Sequence, residues 1–385
     1  APATPGEDKT INYLRDQVQS LGIGPGNGDS YFQSVAVTEL TTSSNASIYM
    51  QGSDYEATFN YGDQVMVGTQ QQIPYVTVQG SDVVFVGYGI VAPERNWNDY
   101  AGIDVTDKTV IILVNDPGYA TQNPDLFNGN AMTYYGRWTY KYEEASRQGA
   151  EGAIIIHETA PASYGWSVVK NSWTGPQFSF QREDLNKGRV AVEGWINSDV
   201  ATELFAKAGL DFDKMKERAA QGSFNIDMGN LDASITVKNT IKNSISYNFI
   251  ATLPGQKKAD EHILYSAHWD HLGTDLTKKG DQIYNGARDN ATGTAALIEV
   301  AEAFSKLPQP LDRSVTFLAV TAEEQGLLGS KFYAANPIIP AAKTVANINM
   351  DALNVNGKSA DVAVYGLGQS ELDNFLTKAA EKQNR

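Results

Sequence analysis

The residues of this sequence that could do chemistry lie in its last third, at the ends of apolar runs or in a glycine-containing loop. They are His268, Asp270, Asp289, Glu323, Glu324 and Asp351. If the apolar runs are parallel strands, their carboxyl ends meet at one edge of a sheet, where ligands bind. Several carboxylates in a partly buried cleft repel each other and are costly to desolvate, and a divalent cation removes that cost. The pattern therefore predicts a metal site.

Each of these residues also has an ordinary structural interpretation. Asp289 could cap a helix that begins at Ala291, and Glu323 with Glu324 could be a solvated pair at a helix start. For any single residue the ordinary interpretation is at least as good as the chemical one. Chance convergence of all of them on one sheet edge is much less probable, and the metal site is the better explanation of the set.

The spacing of the ionisable residues suggests a division of work. The Asp270 carboxylate, two residues after His268, could hold the imidazole in one tautomer and leave the other nitrogen for a metal. The adjacent Glu323 and Glu324 point in different directions at a strand end, so one can bind a metal while the other takes a proton. Asp289 has two carboxylate oxygens and could bridge two metal ions.

The elements that must position these residues alternate between strands and helices after Ile235. Strands are predicted at 247–253, 262–268, 314–322, 344–351 and 361–366, and helices at 291–307, 325–336 and 370–383. This alternation predicts an α/β fold with a mixed, largely parallel sheet that is flanked by helices on both faces.

The first part of the chain has a different pattern. It predicts a helix at 9–22, followed by antiparallel strands at 31–40, 46–51 and 55–61. Near Ser81 the pattern changes to buried apolar runs with a strand–helix–strand unit. We therefore expect three segments. They are an N-terminal part of the catalytic domain (1–80), an inserted β-rich domain (81–225) and the catalytic domain proper (226–385).

Composition excludes several classes of function. The chain has 385 residues, a formal net charge of −15 and no cysteine, so thiolate catalysis, disulfides and cysteine zinc sites are excluded. No basic patch suits a nucleic-acid partner, and no apolar run is long enough to span a membrane. Any metal must be held by carboxylates and by the four histidines. We expect a protein that acts in the periplasm or after secretion.

Four strings, in this order and at these relative positions, resemble the motifs of the M28-type zinc peptidases, which include co-catalytic aminopeptidases and related exopeptidases. The strings are AHWDHLG (267–273), YNGARDNATGTAAL (284–297), TAEEQGLLGS (321–330) and NINMDALN (347–354). The resemblance covers about 236–385. The segment 81–225 resembles the protease-associated domain that many members carry as an insertion.

The resemblance implies a role for each residue and two zinc ions in a complete site. Asp289 bridges the two ions, and His268 with Asp351 completes one site. Glu324 binds the other zinc. Glu323 is the general base, and Asp270 is the partner of His268. The implied activity is removal of N-terminal residues from peptides.

The family pattern also needs a second histidine, far downstream, on the zinc that Glu324 binds. No histidine follows His271 in this sequence, so we expect that zinc site to lack one ligand. We also expect a remainder of the same protein beyond residue 385, and activity of this chain alone is then in question. His271 itself is expected to support the loop beside the ligand motif.

Two other functions fit the same residues. A carboxypeptidase or amidase would keep the fold and change the reaction. A non-catalytic binding protein would use the inserted domain for recognition, although it would not need Glu323 as a free base. Carboxylate-rich ligands would also admit manganese or cobalt.

Overall fold

The computed structural model describes residues 1–275, 278–362, 364, 368 and 370–385, with the backbone alone at Asn230. The described residues fall into two units. Unit 1 contains Ala1–Val35 and Ile245–Arg385, and unit 2 contains Ala36–Ser244. Among the described residues no helix is both long and apolar enough to cross a membrane.

The described strands are numbered in chain order. They are β1 (Gly24–Pro25), β2 (Phe32–Thr42), β3 (Ser47–Gly52), β4 (Tyr55–Asn60), β5 (Val65–Gly68), β6 (Tyr75–Phe85), β7 (Val91–Ala92), β8 (Trp97–Asn98), β9 (Thr109–Leu113), β10 (Gly152–His157), β11 (Pro176–Phe180), β12 (Val192–Asn197), β13 (Ile226–Leu253), β14 (Lys258–His268), β15 (Gly273–Thr274), β16 (Ile283–Tyr284), β17 (Arg313–Val320) and β18 (Thr344–Asn349).

The described helices follow the same numbering. They are α1 (Pro5–Ser20), α2 (Pro117–Thr121), α3 (Trp138–Arg147), α4 (Thr159–Ala162), α5 (Trp166–Trp173), α6 (Ser198–Lys207), α7 (Phe212–Gln221), α8 (Ala291–Ser305), α9 (Leu328–Ala335) and α10 (Leu372–Lys382). Single turns of 3-10 helix lie at Pro93–Arg95, Tyr134–Gly136 and Ala341–Lys343.

Unit 1 is built on a mixed sheet in the order β18-β14-β17-β13. β14 pairs in parallel with both β17 and β18, and the end of β13 pairs antiparallel with β17. The fold class predicted for the catalytic segment is therefore confirmed. Because β14, β17 and β18 run in the same direction, the residues that follow them lie at one edge.

Side chains alternate between the two faces of the unit 1 sheet, and both faces are buried along β17 and at the end of β14. One face packs on α1 and α8 through a core that includes Leu14, Leu297 and Phe317. The other face carries a smaller core that includes Leu318 and Tyr333. β17 reads as a nearly continuous apolar run because both of its faces are buried, whereas β18 is largely exposed.

The predicted strands and helices of unit 1 match the structure closely, with one extension. The strand predicted at 247–253 is the end of β13, which begins at Ile226. Its earlier residues alternate between buried apolar side chains, such as Ile235 and Val237, and polar ones, so they do not form a continuous apolar run. The strand predicted at 361–366 includes residues 363 and 365–366, which lie outside the described residues.

Unit 2 contains a sheet in which β6, β9, β10 and β12 are parallel neighbours, with β5 antiparallel at the β12 side. The strand–helix–strand unit predicted there corresponds to α3 followed by β10. Two large apolar cores, which include Phe85 and Trp195, cover the sheet. Unit 2 thus has cores of its own.

The boundaries of unit 2 differ from those of the predicted inserted segment, 81–225. Residues 36–80 were assigned with the catalytic part, but they belong to unit 2. The physical reason is strand pairing, since β3 pairs with β4 and with residues 232–236 of β13, and β5 pairs with β12. Such long-range partners cannot be read from local sequence patterns.

Candidate metal centre

His268 is the last residue of β14 and is almost fully buried, with 3% of its surface exposed. Its Nδ1 donates a hydrogen bond to the backbone oxygen of Asp270 at 3.1 Å. Because a carbonyl oxygen only accepts, Nδ1 carries the proton and the lone pair lies on Nε2. That Nε2 is buried and makes no hydrogen bond.

Three carboxylates surround this unbonded nitrogen. Asp289 Oδ1 lies 3.0 Å from Nε2, Asp351 Oδ1 lies 3.5 Å away and Glu323 Oε2 lies 3.8 Å away. The approach of Asp289 is close, but its geometry is not that of a hydrogen bond. A lone pair that faces carboxylate oxygens is unfavourable by itself and becomes favourable when a cation lies between them.

Asp270 contributes through two different groups. Its backbone oxygen binds His268, while its carboxylate Oδ1 accepts from the backbone N–H of Glu323 at 3.0 Å. The carboxylate lies 3.8 Å from His268 Nδ1, a distance at which only charge acts. The tautomer of His268 is therefore fixed by the backbone carbonyl, and the Asp270 side chain holds the start of the Glu323 loop.

The chain turns after β17, just before the two adjacent glutamates. Ala322 is fully buried and has φ +50°, so the chain leaves the strand direction just before Glu323. Glu323 faces His268, whereas Glu324 Oε1 lies 2.6 Å from His271 Nδ1. The adjacent carboxylates thus serve different neighbours, as their sequence position predicted.

Asp289 and Asp351 lie on two loops that Asn290 joins. The Asn290 side chain caps α8 by accepting from the Gly293 N–H at 2.9 Å, and it also accepts from the Ala352 N–H at 3.2 Å. Its amide donates to the backbone oxygen of Met350 at 3.0 Å. The cap of α8 is thus Asn290, and Asp289 keeps its carboxylate free, with half of its side chain exposed.

The ligating atoms form two groups, which share Asp289. In each group the atoms lie within 4.8 Å of one another, and these are the groups of three or more found among the described residues. One group is His268, Asp289 and Asp351, and the other is His271, Asp289 and Glu324. The structure therefore brings together all four predicted metal ligands and adds His271.

The pKa values of three groups in the site, Glu323, His268 and Asp270, are raised. Burial raises the pKa of Glu323 to about 7, because a buried carboxylate is costly to ionise and Glu324 adds like charge. Burial lowers the pKa of His268, but the surrounding carboxylates, led by Asp270 and Glu323, outweigh that effect and raise it. Burial also raises the pKa of Asp270 to about 6.

The donor set fits a divalent metal such as zinc. Zinc binds imidazole nitrogen and carboxylate oxygen at about 2.0–2.2 Å, which places neighbouring tetrahedral ligand atoms roughly 3.3 Å apart. The distances from His268 Nε2 to Asp289 and Asp351, 3.0 and 3.5 Å, lie on either side of that value. The unbonded Nε2 supplies the independent sign that a partner belongs there.

A cavity of about 370 Å³ adjoins the two groups. Its apolar lining includes Tyr13, Leu14, Trp269, Ala291, Ala295 and Ile298. It is also lined by Asp270 and His271, and by Asn290, the neighbour of Asp289. A volume of this size accommodates a large side chain or a small ligand. The metal groups are therefore bordered by an apolar recess.

Glu7 and Asn248, which the sequence patterns did not single out, form hydrogen bonds that hold the chain next to these strand ends. The buried Glu7 accepts from the Ser246 hydroxyl and from the Tyr247 N–H, both at 2.8 Å. Asn248 accepts from the Thr321 N–H at 3.0 Å. These contacts fix the chain just before Ala322 and Glu323. The only sequence signal for Glu7 is its place in the first turn of a helix.

Comparison with known proteins finds similarity to one peptidase family over part of the chain. Residues 248–385 match the model of peptidase family M28. A probable zinc metalloprotease of Pyricularia oryzae is 38% identical over 87 residues, which is 23% of this chain and 17% of that protein. Aminopeptidase YwaD of Bacillus subtilis is 28% identical over 131 residues, 34% of this chain and 26% of that protein.

A solved structure is similar over more of the chain. The match to the aminopeptidase from Aneurinibacillus sp. strain AM-1 covers 91% of this chain and 66% of that chain. The sequence identity is 21% and the TM-score is 0.48. The matches to the two curated relatives above span about a quarter or less of those proteins.

Proposed function

Because residues 248–385 match the model of peptidase family M28, we propose that the chain carries the active site of an exopeptidase. It removes N-terminal residues from peptides with the help of two zinc ions. The observation that carries this proposal is the buried Nε2 of His268, which has no hydrogen-bond partner and faces three carboxylates. The names of the relatives, a probable zinc metalloprotease and an aminopeptidase, favour the same metal and reaction.

We propose that His268 and Asp351 hold one zinc ion, that Glu324 holds the other, and that Asp289 bridges them. Zinc, when bound, makes water more acidic and polarises a carbonyl group. The half-exposed carboxylates of Asp289 and Asp351 leave the centre open on one side. A peptide carbonyl can approach from that side.

Glu323 is the proposed general base. It takes a proton from the attacking water and passes it to the amine that leaves. A base suits this work best when its pKa lies near the working pH, and burial brings the pKa of Glu323 to about 7. Its carboxylate receives no hydrogen bond among the described contacts, while its backbone N–H is held by Asp270.

The cavity beside the metal groups is the proposed position of the substrate side chain. It borders Asn290 and His271, so a residue whose carbonyl lies at Asp289 can extend its side chain into the recess. The lining of Trp269, Ala295 and Ile298 favours large apolar side chains.

We also propose a domain type for unit 2 and a location for the protein. Unit 2 is proposed to be a protease-associated type of insertion, which its separate cores support. The protein is proposed to act in the periplasm or after secretion. The absence of cysteine is compatible with either place because no reduced thiol is needed.

The test is an assay of the zinc-loaded chain with aminoacyl anilides and with N-blocked peptides of the same sequence. We expect release of aniline from substrates with a free amine and little or none from blocked ones. Cleavage confined to blocked peptides, at their carboxyl end, would replace the aminopeptidase with a carboxypeptidase. Binding of zinc without any hydrolysis would favour the non-catalytic function.

A further inference from the structure

A buried carboxylate outside the two metal groups joins the first helix to the strand ends. Glu7 lies in the first turn of α1 and is 2% exposed, so it depends on donors of the protein itself. Its Oε1 accepts from the Ser246 hydroxyl and from the Tyr247 N–H, both at 2.8 Å, and its Oε2 accepts from the Ala3 N–H. Since all three partners are donors, they hold the side chain as a carboxylate in one position.

The Ser246 hydroxyl extends these hydrogen bonds to the chain that follows β17. Ser246 Oγ lies 2.6 Å from Thr321 Oγ1, and both side chains are fully buried. A hydroxyl has a single proton, and Ser246 donates its proton to Glu7. Thr321 must therefore be the donor of the bond between the two hydroxyls. The carboxylate thus sets the direction of both bonds, from Thr321 through Ser246 to Glu7.

Thr321 follows β17 and lies two residues before Glu323. Its N–H donates to Asn248 Oδ1 at 3.0 Å, and its carbonyl accepts from the Gly329 N–H at 2.9 Å. Ala322 then has φ +50°, a conformation that a residue with a Cβ keeps only where its surroundings impose it. A change in how Thr321 is held therefore changes the direction of the Glu323 carboxylate.

We propose that Glu7 is a positioning residue for the general base, and that it acts through Ser246 and Thr321. The inference rests on the proposed function, because Glu323 is the base proposed there. Neither Glu7 nor Thr321 is a member of the two groups of ligating atoms that the described residues form. Loss of this connection should therefore lower the turnover number and leave zinc binding unchanged.

The competing role is structural, in which Glu7 serves only to join α1 to β13. Replacement of Glu7 lowers stability in both roles, so stability does not separate them. The two roles differ at Thr321, because removing its hydroxyl leaves the bonds from Ser246 and Tyr247 to Glu7 in place. Only the positioning role predicts that turnover then falls.

The experiment measures steady-state hydrolysis of leucyl anilide by variants of the whole zinc-loaded chain, with zinc analysis and circular dichroism of each. Thr321→Val keeps the shape of the side chain and removes the hydroxyl. We expect its kcat to fall about tenfold, with KM and zinc content nearly unchanged. Thr321→Ser keeps the hydroxyl and should retain kcat within about twofold. Thr252→Val is the matched control, because it removes a hydroxyl of β13 that bonds to Thr316 Oγ1 at 3.0 Å. It should leave kcat unchanged.

Two variants test the part of the connection that contains Glu7. Glu7→Gln keeps an oxygen that can accept from Ser246 and Tyr247, whereas Glu7→Ala removes both acceptors. We expect kcat to fall at least as far in Glu7→Ala as in Thr321→Val, and to stay closer to the parent value in Glu7→Gln. Ser246→Ala separates Glu7 from Thr321 while Glu7 keeps its bond to the Tyr247 N–H. It should lose about as much kcat as Thr321→Val, and it replaces Glu7→Ala in the test if that variant does not fold.

Hydrogen exchange of the metal-free chain gives a measurement that is independent of turnover. Peptides that contain residues 321–327 should exchange faster in Thr321→Val than in the parent chain, because the loop is held by fewer bonds. The same peptides should exchange at the parent rate in Thr252→Val. Equal exchange in Thr321→Val and the parent would overturn the proposal.

A double variant tests whether the loss of turnover passes through Glu323. Glu323→Gln has no base to position, so adding Thr321→Val should lower its remaining turnover by less than about twofold. A further tenfold loss in that background, parent-like kcat in folded Thr321→Val and Ser246→Ala, or loss of zinc from Thr321→Val would each overturn the proposal. If the parent hydrolyses the anilide and Thr321→Val equals it, only the role of Glu7 is wrong. If the parent hydrolyses no anilide, the exopeptidase is wrong and the role of Glu7 falls with it.

Discussion

At the scale of single residues, the two nitrogens of His268 have different neighbours. Nδ1 is bonded to the backbone oxygen of Asp270, and Nε2 faces only carboxylates. A backbone acceptor cannot be protonated and cannot be lost by substitution of a side chain. In the neutral imidazole, the tautomer that presents Nε2 to a metal is therefore fixed by a group that does not titrate, and the Asp270 carboxylate is free to hold the Glu323 loop.

Replacing Glu323 by glutamine tests its role as a base. Glu323→Gln keeps the size and removes the proton acceptor, so we expect turnover to fall at least about 100-fold. Zinc content should stay unchanged because Glu323 is not among the proposed ligands. The measurements are steady-state kinetics and metal analysis. Glu299→Gln on the exposed side of α8 is the control, and near-normal turnover in Glu323→Gln would remove Glu323 from the mechanism.

The charge balance of the metal-free site predicts an unusual dependence of stability on pH. A carboxyl group whose folded pKa is raised keeps its proton longer in the folded state, so the free energy of unfolding falls as pH rises. For Glu323 this interval runs from the ordinary glutamate pKa of 4.5 to about 7. The raised pKa of His268 acts in the same direction, because its stabilisation is lost as pH rises above 6.5.

We therefore expect the metal-free chain to lose stability between pH 5 and about pH 7.5, and Glu323→Gln to lose less. Urea unfolding at several pH values, in the presence of a chelator, measures this difference. Comparing the variant with its parent cancels the titration of groups elsewhere, such as Asp99, whose burial raises its pKa to about 6. Equal slopes for the two proteins would contradict the burial of the Glu323 carboxylate.

At the scale of elements, the start of α8 organises the ends of two strands, β14 and β18. Asn290 caps the helix and binds the Met350 carbonyl and the Ala352 N–H, and Thr294 Oγ1 donates to the His268 carbonyl at 2.9 Å. Gly293 lies so close to the Met350 oxygen that an added Cβ would be 2.3 Å from it. The loops that carry Asp289 and Asp351 are thus held at a fixed spacing by one helix terminus.

Filling the cavity beside α8 tests the proposed position of the substrate side chain. Ala295→Trp puts a large ring into the recess from an exposed helix position. We expect kcat/KM for leucyl or phenylalanyl anilide to fall at least about tenfold, with much less change for alanyl anilide. Ala303→Trp is the matched control, since Ala303 is exposed on the same helix and is not part of the cavity lining. A uniform loss for all substrates would place the side-chain pocket elsewhere.

The elements of unit 1 were largely predictable from the sequence because its buried strands are continuous apolar runs. β14, β17 and β18 were placed within a few residues, and so were α8 and α9. Only the end of β13 was predicted. Residues 238–248 are mostly polar, and the strand pairs with partners that are distant in sequence, so no local pattern indicates it. The limits of unit 2 were missed for the same reason, since pairing of β3 with β13 has no local signal.

The grouping of the candidate ligands in space was predictable from the sequence, and their atomic contacts were not. Parallel strands bring the residues after them to one edge, and this sufficed to group His268, Asp289, Glu324 and Asp351. Which atom of Asp270 binds His268, and where His271 points, depend on turns with unusual dihedral angles, such as the one at Ala322. Sequence patterns do not report these angles for residues other than glycine.

At the scale of the whole molecule, the proposed metal ligands are all in unit 1. Among the described residues, both groups of ligating atoms lie between His268 and Asp351, and unit 2 contributes no such group. Unit 2 has its own apolar cores and its own buried charged group, Lys141, which donates to the carbonyls of Tyr88 and Asn115. We therefore expect the stability of unit 2 not to depend on the metal.

Metal binding should accordingly protect one unit and leave the other unchanged. A ligand that binds only the folded site slows the openings that release it, on the order of 100-fold when present at 100 times its Kd. Hydrogen exchange with and without zinc, read by mass spectrometry, should show slower exchange in peptides from 1–35 and 245–385 and no change in 36–244. His268→Ala, which removes a proposed ligand, should abolish most of the effect. Equal protection of residues 36–244 would show that zinc stabilises both units through a single cooperative unfolding event.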